Sequence, residues 1–293
     1  MKTGIVGLGR MGQAMSARLK EFGLSPAAWD ISEVARKTAK DSGIEVVGSA
    51  RAVCEQADII ITTITEDNGV RGLFTGPSGF LEGDVKGKLF IEMSTLRPET
   101  VRGLSAVLGM RGGAIVDSPV LGSIPTVLEG KLLSLAGGDE KDIARARPVL
   151  EKLTRAIVHM GPVGSGHTMK LAVNLLMANY LQALAEGLAM GLENGLKLDQ
   201  MLDVFANSPL ANGILNNKLP RLRGGPVSMT LDLKTLRKDA QSALATGAAA
   251  GVPMPATAGT LDALASANAA GWGDRDIGEI VKFLQDEMVQ RFG

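Results

Sequence analysis

Two short segments of this 293-residue chain carry residues whose types and spacing could do chemistry. The first, residues 7–12, reads G-x-G-x-x-G and directly follows an apolar run at residues 3–6. Glycines at this spacing allow a tight turn, close approach of a pyrophosphate and close helix–strand packing. The segment therefore predicts a dinucleotide site at the start of a helix. The binding residues that we expect there are Gly7, Leu8, Gly9, Arg10, Met11 and Gly12.

The second segment, residues 164–174, opens a helix with an amine and an amide one turn apart. Lys170 and Asn174 are spaced i, i+4 and so share one face of that helix. A lysine ammonium can stabilise the charge on a carbonyl oxygen during reduction and donate the proton, while the amide holds the amine or a substrate oxygen. With a redox dinucleotide, this pair predicts alcohol dehydrogenase chemistry. A surface lysine beside a polar helix residue is the alternative, and His167 is a rival acid–base group.

Asp30 ends the second predicted strand, at the place where a carboxylate holds the ribose hydroxyls of a bound adenosine. A 2′-phosphate would meet like charge there. The next residue is Ile31 rather than an arginine, and we expect Arg36 and Lys37 on the following helix to point elsewhere. We therefore predict NAD as the cofactor, with NADP less favoured. The alternative is that Asp30 is an ordinary turn residue.

The composition excludes several classes of protein. The 31 basic and 31 acidic residues give no net charge, and no basic stripe points to nucleic acid or an anionic membrane as a partner. No apolar run reaches the about 20 residues of a membrane span, and no signal-peptide pattern opens the chain. The lone Cys54, which we expect to be a buried apolar residue, fits a reducing cytoplasm. His159 and His167 are the only histidines, so we expect no multi-histidine metal site.

An alternation of strands and helices predicts an α/β Rossmann domain with a doubly wound, mainly parallel sheet at residues 1–163. The predicted strands are 3–6, 27–29, 58–64, 89–92, 114–117, 132–136 and 156–158. The predicted helices between them are 11–22, 32–42, 97–110 and 140–153. A boundary at 162–166 leads through a long interdomain helix, 167–194, into an all-α C-terminal domain at 164–293. Its shorter predicted helices are 198–206, 212–223, 232–250, 255–269 and 276–290.

The chain resembles the β-hydroxyacid dehydrogenase family over essentially its whole length. This family includes 3-hydroxyisobutyrate dehydrogenase, tartronate semialdehyde reductase and the glyoxylate/succinic semialdehyde reductases. Residues 5–16 follow the family's N-terminal signature, and Arg18 then replaces a usual Asn. Residues 164–174 match the catalytic helix motif at every fixed position. The resemblance implies that Lys170 is the general acid/base and Asn174 its helper on the substrate side.

The resemblance also implies roles for residues outside these two segments. Thr95, in a Met-Ser-Thr run, would lie by the nicotinamide. Lys238, in a late Lys-Asp pair, would approach both cofactor and substrate. Ile64 and Thr65 occupy a cofactor loop that usually reads Leu-Pro, so we expect backbone contact with the cofactor there.

Residues 117–123 depart from the family pattern. They read Asp-Ser-Pro-Val-Leu-Gly-Ser, where the family more often has Asp-Ala-Pro-Val-Ser-Gly-Gly, whose Ser-Gly-Gly cradles the substrate carboxylate. Substrate contact is thus expected at Leu121, Gly122 and Ser123. Either the Ser123 hydroxyl takes over anion binding, or the pocket accepts a different group. Six further polar residues could reach the pocket or face water: Asn212, Lys218, Arg221, Arg223, Asp232 and Lys234.

The resemblance implies interconversion of a short β-hydroxy acid and its semialdehyde or keto form, and Asp30 favours NAD as the cofactor of this reaction. A homodimer or homotetramer is implied as well. The alternatives are an NADPH-preferring glyoxylate or succinic semialdehyde reductase, an imine reductase, and a non-catalytic NAD-binding module. Lys170 argues against the last two, because an iminium gains nothing from a nearby ammonium and a non-catalytic relative is expected to lose the lysine.

Overall fold

The structure, a computed structural model, describes residues 1–226, 229–284 and 286. They form two compact units, Met1–Leu171 and Ala172–Gly293. The division falls inside a long helix, a few residues after the boundary expected at 162–166. Within the described ranges, no helix combines the length and apolar character needed to cross a bilayer.

The first unit is built on one sheet, which has eight strands in the described part of the chain. Their order is β2-β1-β3-β4-β5-β7-β6, with β8 also paired to β7. The strands are β1 (Thr3–Val6), β2 (Ala27–Trp29), β3 (Ile59–Thr62), β4 (Leu89–Glu92), β5 (Ala114–Asp117), β6 (Val120–Leu121), β7 (Leu132–Gly137) and β8 (Thr154–Gly161).

Strands β1 to β5 run parallel, and the predicted Rossmann architecture is confirmed. The sheet is mainly parallel, as predicted, and the exception lies at one edge, where β7 runs antiparallel to both β5 and β6. Only Ser118 and Pro119 separate β5 from β6, a two-residue strand that the sequence did not predict. β6 pairs with β7 rather than with β5, and residues 122–131, which connect β6 to β7, are fewer than the dozen or so that a parallel crossover needs.

Helices cover both faces of this sheet. They are α1 (Arg10–Glu21), α2 (Glu33–Asp41), α3 (Ala50–Gln56), α4 (Asp67–Thr75), α5 (Pro98–Met110), α6 (Ile124–Leu128) and α7 (Glu140–Leu153), with a 3₁₀ turn at Phe80–Glu82. Alternate strand residues enter separate cores, so Ile5 packs with α1 and α7 residues while Val6 packs with α3, α4 and α5 residues. Helices α3, α4 and α6 were not predicted.

The second unit is helical. Helix α8 (Ser165–Glu193) begins in the first unit and continues here, followed by α9 (Leu198–Ala206), α10 (Gly213–Leu222), α11 (Leu233–Ala249) and α12 (Pro255–Ala269). Leu188, Leu202, Leu236 and Phe283 belong to its apolar core. Of the predicted helix at 276–290, residues 277–279 form a 3₁₀ turn and 280–284 are helical, while 285 and 287–290 lie outside the described residues.

Candidate active site

The glycine segment between β1 and α1 has the geometry of a phosphate cradle. Gly7 has a φ of 101°, and a β-carbon there would overlap the Thr63 carbonyl oxygen. A β-carbon at Gly12 would overlap the carbonyl of Gly7, so both positions require glycine for packing. A β-carbon at Gly9 would meet nothing within 4 Å. Gly9 therefore borders open space at the start of α1, which is where a pyrophosphate fits.

The other residues of this segment divide between the core and the surface. Leu8 is buried, Met11 is partly buried and Arg10 is exposed beside Gly9. The Leu8 side chain therefore serves packing. The groups at this position that are able to contact an anion are the backbone N–H groups of the turn and the Arg10 guanidinium.

Asp30 is fixed by the glycine segment itself. Its Oδ2 accepts the Leu8 N–H at 2.6 Å, and its Oδ1 accepts the Ser32 N–H at 2.7 Å. The carboxylate thus links the end of β2 to the phosphate turn, in the position expected for a ribose-binding group. It has a structural partner that the sequence did not predict.

Arg36 does not point elsewhere as the sequence suggested. Its Nη1 donates to the carbonyl oxygens of Asp30 at 2.6 Å and Ile31 at 3.0 Å. The first turn of α2, capped by the Ser32 hydroxyl, brings the long side chain back over the end of β2. A cation therefore does lie next to the Asp30 site, although not next to it in sequence.

The loop after β3 and the loop after β4 are joined by a hydrogen bond. The Ile64 N–H donates to the Ser94 Oγ at 2.8 Å. Thr65 is exposed and Thr95 is partly buried, and both follow these bonded residues directly. The structure therefore brings the two expected cofactor loops together on the side of the sheet where parallel strands end.

Three neighbouring strands each end in a polar side chain at their carboxyl ends. Thr62, Glu92 and Asp117 are each the last residue of their strand, and the register aligns them across β3, β4 and β5. All three are fully buried. Thr62 donates from its hydroxyl to the Glu92 Oε2 at 2.6 Å, and the Ser94 N–H donates to the Glu92 Oε1 at 2.8 Å. Burial is the largest influence on Glu92 and raises the pKa of its carboxyl group.

Asp117 holds the N-terminus of α8. Its Oδ1 accepts the Gly164 N–H at 2.7 Å, and its Oδ2 accepts the His167 N–H at 2.9 Å. A carboxylate is favourable there because the N–H groups and dipole of the helix carry positive charge. Gly137 and Gly166 leave the necessary space, since a β-carbon at either would press on the carboxylate of Asp117.

His167 is fully buried, and both of its ring nitrogens have partners. Nδ1 lies 3.2 Å from the Asp117 Oδ2, and Nε2 lies 3.1 Å from the Ser94 carbonyl oxygen. The ring is thus enclosed by protein rather than facing a substrate. This geometry argues against His167 as the rival acid–base group, which must reach the proton that it transfers.

Lys170 and Asn174 occupy successive turns of α8. Lys170 is partly buried, and Asn174 is buried. In the second unit, Asn174 donates from Nδ2 to the Asp239 Oδ2 at 2.6 Å, which orients its amide. The Lys238 Nζ forms an ion pair with the Asp239 Oδ1 at 2.9 Å. Sequence reasoning placed Asp239 in a motif with Lys238 but gave it no role.

The segment expected to bind substrate lies around β6. Leu121 is partly buried within β6, and Gly122 follows it with an exposed backbone. The Ser123 hydroxyl is 3.1 Å from the Thr126 hydroxyl, and either oxygen can donate. Ser123 is therefore one of a pair of hydroxyls at the start of α6.

All six of the polar residues that could reach the pocket or face water make structural contacts within the second unit. Asn212 and Asp232 cap α10 and α11 through their side chains. The other four form ion pairs within the second unit: Lys218 with Asp276, Arg221 with Glu279, Arg223 with Asp203, and Lys234 with Asp274.

Arg18, the departure from the family signature, ties α1 to the end of α7. Its Nε donates to the Lys152 carbonyl oxygen at 3.1 Å, and its guanidinium lies 4.6 Å from the Phe22 ring centroid. The departure at Arg18 is therefore a packing feature.

Burial raises the pKa of Cys54 to about 11, so this thiol is inert. Among the residues that the structure describes, no cluster of three His, Cys, Asp or Glu could hold a metal ion.

Comparisons with known proteins agree with this geometry. The NAD-binding domain of 6-phosphogluconate dehydrogenase matches residues 2–161. The domain described as the NAD-binding domain of NADP-dependent 3-hydroxyisobutyrate dehydrogenase matches residues 164–284. Fold, glycine turn and matches together define a nicotinamide-dinucleotide-binding oxidoreductase of the Rossmann type.

Individual relatives narrow this class. The chain is 30% identical to glyoxylate/succinic semialdehyde reductase 1 of Arabidopsis thaliana, over 97% of this chain and 99% of that protein. It is 33% identical to 3-hydroxyisobutyrate dehydrogenase of Pseudomonas aeruginosa, over 72% and 71%. The structure of Mycobacterium tuberculosis 3-hydroxyisobutyrate dehydrogenase with L-serine matches with a TM-score of 0.86 at 27% identity, over 97% and 98%. The chain belongs to the β-hydroxyacid dehydrogenase family.

Proposed function

We propose that the protein is an NAD-dependent dehydrogenase that interconverts a short β-hydroxy acid and its semialdehyde or keto form. The observation that carries this proposal is the place of Lys170. It follows a helix N-terminus that Asp117 and His167 hold at the carboxyl ends of β4 and β5. Ligands of open α/β sheets bind outside these strand ends.

The reaction requires a proton donor at the substrate oxygen. A reduced nicotinamide cofactor, when bound, would supply hydride to the carbonyl carbon. The Lys170 ammonium stabilises the negative charge on the oxygen and transfers a proton to it, giving the alcohol. In the oxidation, the neutral amine of Lys170 accepts the hydroxyl proton. The Asn174 Nδ2 is occupied by Asp239, so we propose that the amide oxygen of Asn174 is the atom that accepts a hydrogen bond from the Lys170 amine or a substrate hydroxyl.

We assign binding of the substrate carboxylate to the Ser123–Thr126 hydroxyl pair. Two hydroxyls 3.1 Å apart can both donate to one anion after giving up the bond between them. Leu121 lines the same segment with an apolar side chain, which favours substrates with a small apolar substituent over the most polar ones. Lys238 is the cation that we propose for contact with both cofactor and substrate.

A panel of short acids tests this function. In the oxidative direction, 3-hydroxyisobutyrate and related β-hydroxy acids are mixed with NAD and the absorbance of NADH is followed. Glyoxylate and succinic semialdehyde are tested with NADH in the reverse direction. The methyl ester of each active acid is the matched control, since it keeps the reacting carbon and loses the anion. We expect turnover of at least one acid and a large loss with its ester. No turnover in either direction would overturn the proposal.

The proposed preference for NAD predicts the effect of a substitution at Asp30. Asp30→Asn removes the charge that repels a 2′-phosphate, while its amide oxygen can still accept a hydrogen bond. We expect the kcat/KM ratio of NADPH to NADH to rise about tenfold or more, as the loss of one charged hydrogen bond implies. The ratio is the correct measurement, because Asp30 also holds Leu8 and its loss disturbs both cofactors.

A second candidate, an NADPH-preferring semialdehyde reductase, is favoured by Arg36. Its guanidinium lies at the carbonyls of Asp30 and Ile31 and could turn to meet a 2′-phosphate. Arg36→Ala separates the two candidates. If NAD is the cofactor, this change should leave the kcat/KM for NADH close to the wild-type value. A wild-type preference for NADPH that Arg36→Ala abolishes would replace the NAD assignment.

We also propose that residues 164–293 serve substrate binding and oligomerisation, with a second copy of the chain as partner. An apolar groove of about 590 Å³ runs between α8 and α9. Met190, Leu196, Val204 and Leu210 line it and are more than half exposed. Exposed apolar patches of this kind mark association surfaces. Sedimentation equilibrium should show a dimer or tetramer that Val204→Glu dissociates, and a monomeric wild type would contradict this.

A further inference from the structure

His167 has a fully buried ring that the proposed chemistry does not use. We propose that His167 is a positioning residue: it joins the backbone before Thr95 to the helix that carries Lys170. This inference rests on the proposed function, because it names what fixes the two groups that act on cofactor and substrate. It assigns no proton transfer to the imidazole.

The two nitrogens of the His167 ring contact different parts of the first unit. Nε2 lies 3.1 Å from the Ser94 carbonyl oxygen, and a carbonyl can only accept, so Nε2 donates. Nδ1 lies 3.2 Å from the Asp117 carboxylate, which also accepts the N–H groups of Gly164 and His167. One side of the ring therefore contacts the loop after β4, and the other side contacts the Asp117 carboxylate, which binds the N-terminus of α8.

The two residues that the His167 ring links are close along the chain to Thr95 and Lys170, the groups expected to act on cofactor and substrate. The Ser94 carbonyl belongs to the peptide bond that leads into Thr95. Lys170 lies three residues after His167, one helical turn further on. Ser94 is also fixed from the other side, because its N–H donates to Glu92 and its Oγ accepts the Ile64 N–H. Two carboxyl groups act on the ring: Asp117 of β5 lies against Nδ1, and Glu92 of β4 interacts with the ring electrostatically.

A ring that merely fills space would not need this arrangement. An apolar residue could fill the same volume without burying two polar nitrogens, and buried polar atoms are costly unless they are paired. Each nitrogen instead lies within hydrogen-bond distance of an oxygen, one in the loop after β4 and the other at the end of β5. Misplacement of catalytic groups by about 1 Å can cost about 10² in rate, so such a link has a measurable effect on kcat.

A matched pair of variants separates the two sides of the ring. Gln places its amide N–H near the position of Nε2 and can keep the Ser94 bond. Asn is shorter, places its amide near Nδ1 and keeps only the Asp117 side. We expect kcat to fall about 10²-fold in His167→Asn and to stay close to wild type in His167→Gln, with the KM for NADH unchanged in both. Equal losses, a larger loss in His167→Gln, or no loss in either variant would overturn the proposal.

Amide hydrogen exchange gives a measurement that does not depend on turnover. In His167→Asn, but not in His167→Gln, the amides of Ile64 and Ser94 should exchange faster than in wild type. The amide of Gly164 should keep its protection in both variants, because Asp117 still accepts it. If the wild type turned over no acid, the proposed function would fail, and this exchange pattern would still decide the role of His167.

The wild-type ring itself provides a test if a variant does not fold. The chain has two histidines, so a ¹⁵N-histidine spectrum contains two rings, and His159→Gln assigns them. We expect the His167 Nε2–H signal to persist through slow exchange with solvent. An unprotonated Nε2, or one that exchanges as fast as an exposed ring, would contradict the Ser94 bond.

Discussion

Replacing Lys170 with Ala is expected to lower kcat at least about 10²-fold, the usual scale for the loss of general acid–base catalysis. The affinity for NADH should change little, because the glycine segment and Asp30 lie elsewhere in the first unit. Steady-state kinetics together with NADH fluorescence titration measure the two effects separately. Activity near wild type would remove Lys170 from its proposed role.

Lys170→Arg is the matched control for charge. A guanidinium keeps the positive charge but does not give up a proton in the accessible pH range. If the lysine acts mainly as an acid–base group, Lys170→Arg should lose nearly as much activity as Lys170→Ala. If Lys170→Arg retained most of the activity, electrostatic stabilisation alone would explain the contribution of the lysine.

Replacing Asp117 with Ala is expected to destabilise the first unit by about 3 kcal/mol or more. The change leaves the Gly164 N–H and the His167 N–H buried without their acceptor and removes the carboxylate beside the His167 Nδ1. The chain has two tryptophans, Trp29 in the first unit and Trp272 in the second. Urea unfolding followed by fluorescence in a Trp272→Phe background therefore reports on the first unit.

Asp139→Ala is the control for the loss of a carboxylate in the same unit. Asp139 precedes α7 with an exposed side chain that makes no capping hydrogen bond, so a change within about 0.5 kcal/mol is expected. An Asp117→Ala protein as stable as Asp139→Ala would show that the Asp117 contacts do not hold α8.

The glycine segment shows what the sequence could predict. Gly7, Gly9 and Gly12 lie close together in sequence, so their spacing was enough to predict the turn and the open approach to α1. The close contact between Gly7 and the Thr63 carbonyl could not be predicted in this way. The long helices could also be predicted from the sequence, because their apolar periodicity persists over several turns. The short helices α3 and α6 have seven and five residues, too few for a period to emerge.

The hydrogen-bond network at the strand ends could not be predicted from the sequence, for a different reason. Asp117 and His167 lie 50 residues apart, and their contact depends on the register of β4 and β5 and on the start of α8. One signal was present in the sequence: Glu92 and Asp117 each end an otherwise apolar strand. Arg36 was misplaced because a long side chain can fold back along its own helix, which residue spacing does not show.

The most direct measurement is the fate of deuterium from NADH in which both hydrogens at C4 of the nicotinamide are replaced by deuterium. The wild-type protein is incubated with the labelled cofactor and a semialdehyde acid, and the product is analysed by mass spectrometry. We expect one deuterium on the carbon that bears the new hydroxyl group, and almost no labelled product from Lys170→Ala. A product without deuterium at that carbon, or equal labelling by Lys170→Ala, would contradict hydride transfer assisted by Lys170.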